Sequence, residues 1–253
     1  MGNACISIER ILARLDEYLN KNDYASAEKH LVYWRDEAQK NSDSRTEILV
    51  LNELMGLYRK LGKRSEALSC VDSALSKIEQ LGIETQVGSA TSFLNCATVY
   101  KAFGMAEQGL PLFGKAREIY EKELDENDSR LGGLYNNMAL TLVDLGRFSD
   151  ADELYRRAIS VMNKNENGAL SVAITYLNMA SAAEAEYGLV DADLQIQEYL
   201  SKAEKLLKDY RQRDGYYAFV CEKCASVFEY YGHFIYAREL EDRARRIYEN
   251  ERS

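Results

Sequence analysis

The sequence predicts an all-α fold of about six stacked antiparallel helix pairs, and three observations carry that reading. One proline stands in 253 residues. Apolar residues recur at spacings of three and four, and the whole pattern repeats at an interval of 42 residues. Proline in a helix interior costs about 3 kcal/mol, so long runs without it suit helices. The three-and-four spacing, as in Phe93, Cys96, Ala97 and Tyr100, lays one apolar stripe along one helix face. A fixed period means that each unit buries its stripe against its neighbours.

The copies follow in order. Leu15, Tyr18, Ala27, Leu31 and Trp34 open the series 40 residues ahead of their counterparts, with Trp34 in a slot that alanine holds elsewhere. Leu51, Met55, Tyr58, Gly62, Ala67, Val71 and Ala74 form the second copy. Phe93, Ala97, Gly104, Phe113 and Ala116 form the third, and Tyr135, Ala139, Gly146, Tyr155 and Ala158 stand 42 residues further on. Tyr176 and Ala180 come 41 residues later still, whereas Ala203 follows Ala158 by 45. Four extra residues therefore fall between the two helices of the fifth pair, where both helices can lengthen by about a turn. Ala225, Phe228, Gly232, Ala237 and Ala244 close the series. The expected repeats cover residues 8–40, 48–82, 90–122, 132–164, 173–210 and 218–250 within a single domain, 1–253.

Each pair reads as helix A, a break such as Leu145–Gly146, and helix B. Glycine takes the left-handed conformation that closes a helix. Alanines at two contact points let the axes approach closely, and an aromatic on the partner fills the space beside them. Pro111 sits early in a B helix and is expected in its first turns, where the missing N–H costs little.

This pattern resembles the tetratricopeptide repeat, and LYNNMALTLVDLGRFSDADELYRRA, Leu134 to Ala158, matches its motif almost position by position. The 42-residue period looks like the longer subclass found in kinesin light chains, in which helix B and the following loop, here Glu118 to Leu131, are extended. The resemblance covers roughly Ile11 to Tyr248. It implies a right-handed superhelical solenoid whose A helices line a concave groove that takes a protein or peptide. It also implies a non-enzymatic adaptor or scaffold without cofactor or metal.

Thirty-two basic against forty-one acidic residues give a net charge of −9, which repels a phosphate backbone, so nucleic acid is not an expected partner. No stretch approaches the roughly 20 apolar residues of a membrane span, and Met1 to Arg10 lacks the layout of a secretory signal. Five cysteines, Cys5, Cys70, Cys96, Cys221 and Cys224, are odd in number and scattered, which fits a reducing, cytoplasmic setting.

The candidate site follows from the resemblance. Two residues before the small alanine of helix A, the groove-facing position holds Glu53, Asn95, Asn137, Asn178 and Lys223. Core packing does not demand three successive asparagines, and asparagine is a mediocre helix former. Its carbonyl and amide can pair with both polar groups of a peptide unit. Inheritance from one ancestral repeat, or bonding between adjacent repeats, would also explain the recurrence. Asn136, Thr98 and Ser181 lie beside these positions or one turn on. Arg59 and Lys101 toward the N-terminal half, against Asp144, Glu184 and Glu229 toward the C-terminal half, would orient a polar guest, unless they are solvated helix faces. Chaperone-type members clamp a terminal carboxylate with basic residues at places that here hold Leu49, Asn52, Thr91, Leu94 and Asn95, none of them basic.

Other signals are weaker. Cys221 and Cys224 have the spacing of half a zinc site, but they fall on apolar positions of the repeat and read as core thiols. His30 and His233 lie near opposite ends and suggest neither a metal site nor a general base. The opening Met1-Gly2-Asn3-Ala4-Cys5-Ile6-Ser7 weakly resembles a lipidation signal at Gly2, with Ser7 one place late. Otherwise Ile8, Ile11, Leu12 and Leu15 form a capping helix. Tyr216, Tyr217, Tyr230, Tyr231 and Tyr236 crowd the last copy as a partner or dimer surface, or as its seal. The expected function is therefore a peptide-holding adaptor. The alternatives are a self-associating module, for instance a homodimer, and a regulator sensing a small signalling peptide.

Overall fold

The computed structural model describes residues 7–250, with the side chain of Asn250 excepted, and every regular element among them is a helix. The chain divides into two compact units, Met1–Glu123 and Leu124–Ser253. The first holds three hairpins: α1 (Ile8–Asn20) with α2 (Tyr24–Lys40), α3 (Ser44–Leu61) with α4 (Arg64–Leu81), and α5 (Val87–Ala102) with α6 (Ala106–Glu123). The second holds α7 (Ser129–Asp144) with α8 (Phe148–Met162), α9 (Ala169–Tyr187) with α10 (Asp193–Asp209), and α11 (Gly215–Tyr230) with α12 (Phe234–Asn250). Gly2 and Cys5, and with them the lipidation signal, lie outside the described residues.

Most of the apolar positions of the period form the core. Leu15, Leu31, Met55, Val71 and Cys96 are buried together in the first unit. Tyr135, Ala139, Tyr155, Ala158, Ala180 and Ala203 are buried in the second. The small positions set how closely the helices approach. A Cβ on Gly109 of α6 would come within 2.9 Å of the Ala97 carbonyl oxygen of α5, so this pair touches backbone to backbone where other copies carry alanine. Phe113 and Ala116 fill the space beside that contact and are fully buried.

Five A helices, α3, α5, α7, α9 and α11, start three or four residues before the expected positions 48, 90, 132, 173 and 218, and three of them carry an aspartate cap. The Asp43, Asp128 and Asp214 carboxylates accept hydrogen bonds from the backbone N–H of Thr46, Arg130 and Tyr217, at 3.1, 2.9 and 2.9 Å. Each satisfies a donor that the helix start leaves unpaired. In the first unit one buried carboxylate ties three helices together. Glu47 of α3 accepts from Lys77 of α4 at 2.9 Å and from Gln39 of α2 at 3.0 Å.

Two expectations need correction. Pro111 is the sixth residue of α6, past the first turn, so the Glu107 carbonyl lacks its usual donor four residues on. Both residues lie on the exposed side of α6, where water replaces the missing partner. The insertion in the fifth pair does not lengthen both helices. From Ala180 to the end of α9 there are seven residues, against five from Ala139 to the end of α7, and the connection has five residues against three. From the start of α10 to Ala203 the count is ten, as from the start of α8 to Ala158. The four residues thus split evenly between the end of α9 and the turn.

The contact at Gly109 yields a matched pair of substitutions. Gly114, in the same helix, has nothing within 4 Å of an added Cβ. Gly114→Ala should stabilise the protein by about 0.5–1 kcal/mol through helix propensity alone. Gly109→Ala, with the same propensity gain, should lower the melting temperature because a backbone carbonyl has to move. Thermal unfolding of both variants checks this, and equal rises would contradict the close approach.

Candidate functional site

The asparagines fall on the A helices of both units, half-buried, and each unit pairs them in the same way. In the first, the Asn95 amide of α5 donates to the Asn52 carbonyl oxygen of α3 at 2.9 Å. The Asn52 amide donates in turn to Ile48 O in its own helix and to Ser92 Oγ across the pair, both at 2.9 Å. In the second, the Asn178 amide of α9 donates to the Asn136 carbonyl oxygen of α7 at 3.1 Å, and Thr175 Oγ1 donates to the same oxygen at 3.1 Å. Asn137 donates to Gly133 O, 2.8 Å away in its own helix.

The outcome is the same for Asn95, Asn137 and Asn178. The amide nitrogen is held by the fold, which fixes the side chain, and no protein group among the described residues occupies the carbonyl oxygen. What each helix face presents is an oriented acceptor that a backbone N–H would satisfy. Thr98 and Ser181 bond back to Leu94 O and Leu177 O at 2.7 and 3.3 Å; this leaves the Thr98 oxygen lone pairs as a further acceptor, whereas the Ser181 hydroxyl also bonds Tyr231.

Asn52 went unrecognised as part of the ladder because it lies one place out of phase, 43 residues before Asn95. The signal was nonetheless present, since Asn136 precedes Asn178 by 42 in the same relation. Arg59 is exposed and Lys101 half-buried, each on the last turn of an A helix. Asp144 and Glu229 are exposed. Glu184 is not a free groove carboxylate: its two oxygens accept from the Tyr230 and Tyr231 hydroxyls at 2.6 and 2.7 Å and pin α11 to α9. Of the C-terminal tyrosines, Tyr217 and Tyr236 are buried and Tyr231 is half-buried, while Tyr216 and Tyr230 are exposed.

Glu53 takes the position that asparagine holds in the later copies, and burial, with Asp16 of α1 adding to it, raises its carboxyl above the ordinary value. Cys221 and Cys224 are buried among the helices, and burial pushes the Cys224 thiol up to about 12. Cys70 and Cys96 are likewise pushed up by burial, to about 11 and 12. Among the described residues no three His, Cys, Asp or Glu side chains gather as a metal site, and no helix is long and apolar enough to cross a membrane. A cleft of about 290 Å³ opens between α8, α9 and α10. Its wall residues Asp152 and Arg156 are already paired with each other at 2.8 Å.

Six hairpins with a recurring core of small and aromatic residues, and amides aligned on the A helices, define a helical-repeat protein. Comparison with known proteins makes the class specific. Residues 90–164 match the tetratricopeptide repeat family. The chain is 24% identical over 194 residues to Protein KINESIN LIGHT CHAIN-RELATED 2 of Arabidopsis thaliana, a match that covers 76% of this chain and 28% of that protein's length. Among solved structures, BtubC (BKLC) from P. vanneervenii is similar with a TM-score of 0.67 at 19% identity, covering 81% of this chain and 82% of that one. NprR, solved in complex with its cognate peptide NprX, is similar with a TM-score of 0.60 at 16% identity, covering 93% and 65%. Residues 90–164 thus carry the tetratricopeptide repeat, and the chain around them is similar to a kinesin light chain-related protein.

Two outcomes follow from the buried groups. A raised carboxyl pKa means that the folded state keeps a proton the unfolded chain has given up, so this contribution to stability is lost as pH rises through the folded value. Glu53→Gln should therefore raise the melting temperature at pH 7, with the gain shrinking toward pH 4, where the native carboxyl is protonated. A gain that grows on acidification contradicts the assignment. For the thiols, titration with a chromogenic disulfide at pH 8 should detect Cys70, Cys96, Cys221 and Cys224 only after unfolding. Fast reaction of any of the four in the native protein contradicts their burial.

Proposed function

We propose that this chain is a cytoplasmic, non-enzymatic adaptor whose A-helix face holds an extended protein or peptide segment. The observation that supports this reading best is the common state of Asn95, Asn137 and Asn178, each with its amide nitrogen tied to the fold and its carbonyl oxygen open. Such acceptors on the A helices of each unit suit backbone N–H groups and read few side chains, so the guest is chosen mainly by its extended form. Thr98 adds an acceptor one turn on, Asn136 sets the orientation of Asn178, and Arg59 and Lys101 favour acidic side chains beside the backbone. The similar NprR was solved with a peptide bound, which makes a small signalling peptide the second reading for the guest.

The test is a displayed library of extended peptides screened against the native chain and against Asn95→Ala plus Asn137→Ala, one substitution in each unit. Each variant loses a hydrogen bond of the fold worth about 1 kcal/mol, so the protein should stay folded. Binders of the native chain should weaken about tenfold or more on the doubly substituted chain, with circular dichroism unchanged. Undiminished binding would exclude the asparagines from recognition.

A further inference from the structure

The edge of the second unit formed by its last two A-to-B turns carries exposed apolar side chains. Turns linking A to B helices elsewhere hold Lys21-Asn22-Asp23, Gly62-Lys63, Phe103-Gly104-Met105 and Leu145-Gly146-Arg147, and the apolar Phe103, Met105 and Leu145 among them are half-buried. The fifth holds Gly188-Leu189-Val190-Asp191-Ala192, two residues longer than its neighbours, and is followed at once by Leu194. Val190 and Leu194 each keep 87% of their surface exposed. Connections need no apolar residues for folding, and an insertion that brings them to the surface is otherwise a solubility cost.

The next turn lies beside it and has the same character. Glu184 binds Tyr230 and Tyr231, and His233 bonds to Gln197 at 2.9 Å, so the α11–α12 turn is fastened against the α9–α10 turn. On that second turn Ile235 is 87% exposed and Phe234 and Tyr230 are exposed as well. The exposed charges nearest these residues are mostly acidic, with Arg238, three places on from Ile235 and lining the same hollow, as the basic exception. Residues 184–194 contain Glu184, Glu186, Asp191 and Asp193 with no lysine or arginine, and residues 226–236 contain Glu229 with neither. Asp191, Asp193, Glu186 and Glu229 are exposed.

From this placement we infer that the paired turns of α9–α10 and α11–α12 are a second docking surface, which takes a basic protein segment with apolar anchors. Complementary charge selects that occupant. A second copy of this chain would set one acidic rim against another, and an anionic membrane surface would be repelled in the same way. Its apolar anchors and carboxylates are other residues than Asn95, Asn137 and Asn178, so the two proposals are tested by different substitutions.

The probes are a Leu/Lys amphipathic peptide of about five helical turns and its Leu/Glu counterpart, followed by fluorescence anisotropy. The native chain should bind the Leu/Lys peptide and not the Leu/Glu peptide. Val190→Ser with Leu194→Ser and Ile235→Ser should weaken that binding at least tenfold with no change in melting temperature, and so should Asp191→Lys with Asp193→Lys. Asn95→Ala plus Asn137→Ala should leave it unchanged. Equal binding of both peptides, or binding that survives both sets of turn substitutions, overturns the proposal. So does a mass in sedimentation that rises with concentration and is abolished by the serine variant, which would make the occupant a second copy. Association with phosphatidylserine vesicles lost in the same variant would instead make it a lipid surface.

Discussion

A single hairpin of this chain cannot bury its own apolar stripe, and the close approach of helices at small residues is how the structure meets that constraint. At Ala97 and Gly109 two backbones touch, and Phe113 closes the space beside them. That contact sets the depth of the third hairpin, and alanine at the same place, Ala67 and Ala151, keeps its neighbours nearly as close. Within each unit the stacking of the next hairpin then places successive A helices at a side chain's reach. The 2.9 and 3.1 Å bonds from Asn95 to Asn52 and from Asn178 to Asn136 span that gap. The polar face is therefore a product of the apolar one: the packing lines up the amides, and the amides lock each other's orientation.

Much of this was legible in the sequence because it follows from period and residue size. Tyr135, Ala139, Gly146, Tyr155 and Ala158 announce a hairpin by their spacing, and each does in the structure what its size allows. What escaped lies off the period. The first residues of α3, α5, α7, α9 and α11 precede the apolar stripe, so periodicity cannot register them, nor the aspartates that cap α3, α7 and α11. Asn52 stands one place out of phase, so it was absent from the column that produced the candidate asparagines. Glu184 had the position of a groove carboxylate, but its partners Tyr230 and Tyr231 are more than forty residues away and only the fold brings them to it. The four inserted residues had a known place, yet their division between α9 and its turn depended on where the helix stopped.

The two surfaces proposed for this chain use opposite chemistries. On the A helices, half-buried amides offer fixed acceptors to a backbone, which favours an extended guest over any particular sequence. At the turns of the second unit, exposed Val190, Leu194 and Ile235 among carboxylates offer apolar area with a negative border. Similarity to the kinesin light chains accounts for the helices that carry both surfaces and leaves the guest of each to be read from this chain's own side chains.

The measurement that bears most directly on the ordered amide face is a double-mutant cycle on Asn52→Ala and Asn95→Ala, read by chemical unfolding. If the amide of one repeat is held by the carbonyl of the previous one, the two losses should be coupled by about 0.5–1.5 kcal/mol. Losses that simply add would mean that the asparagines do not orient one another and that no fixed row of acceptors exists.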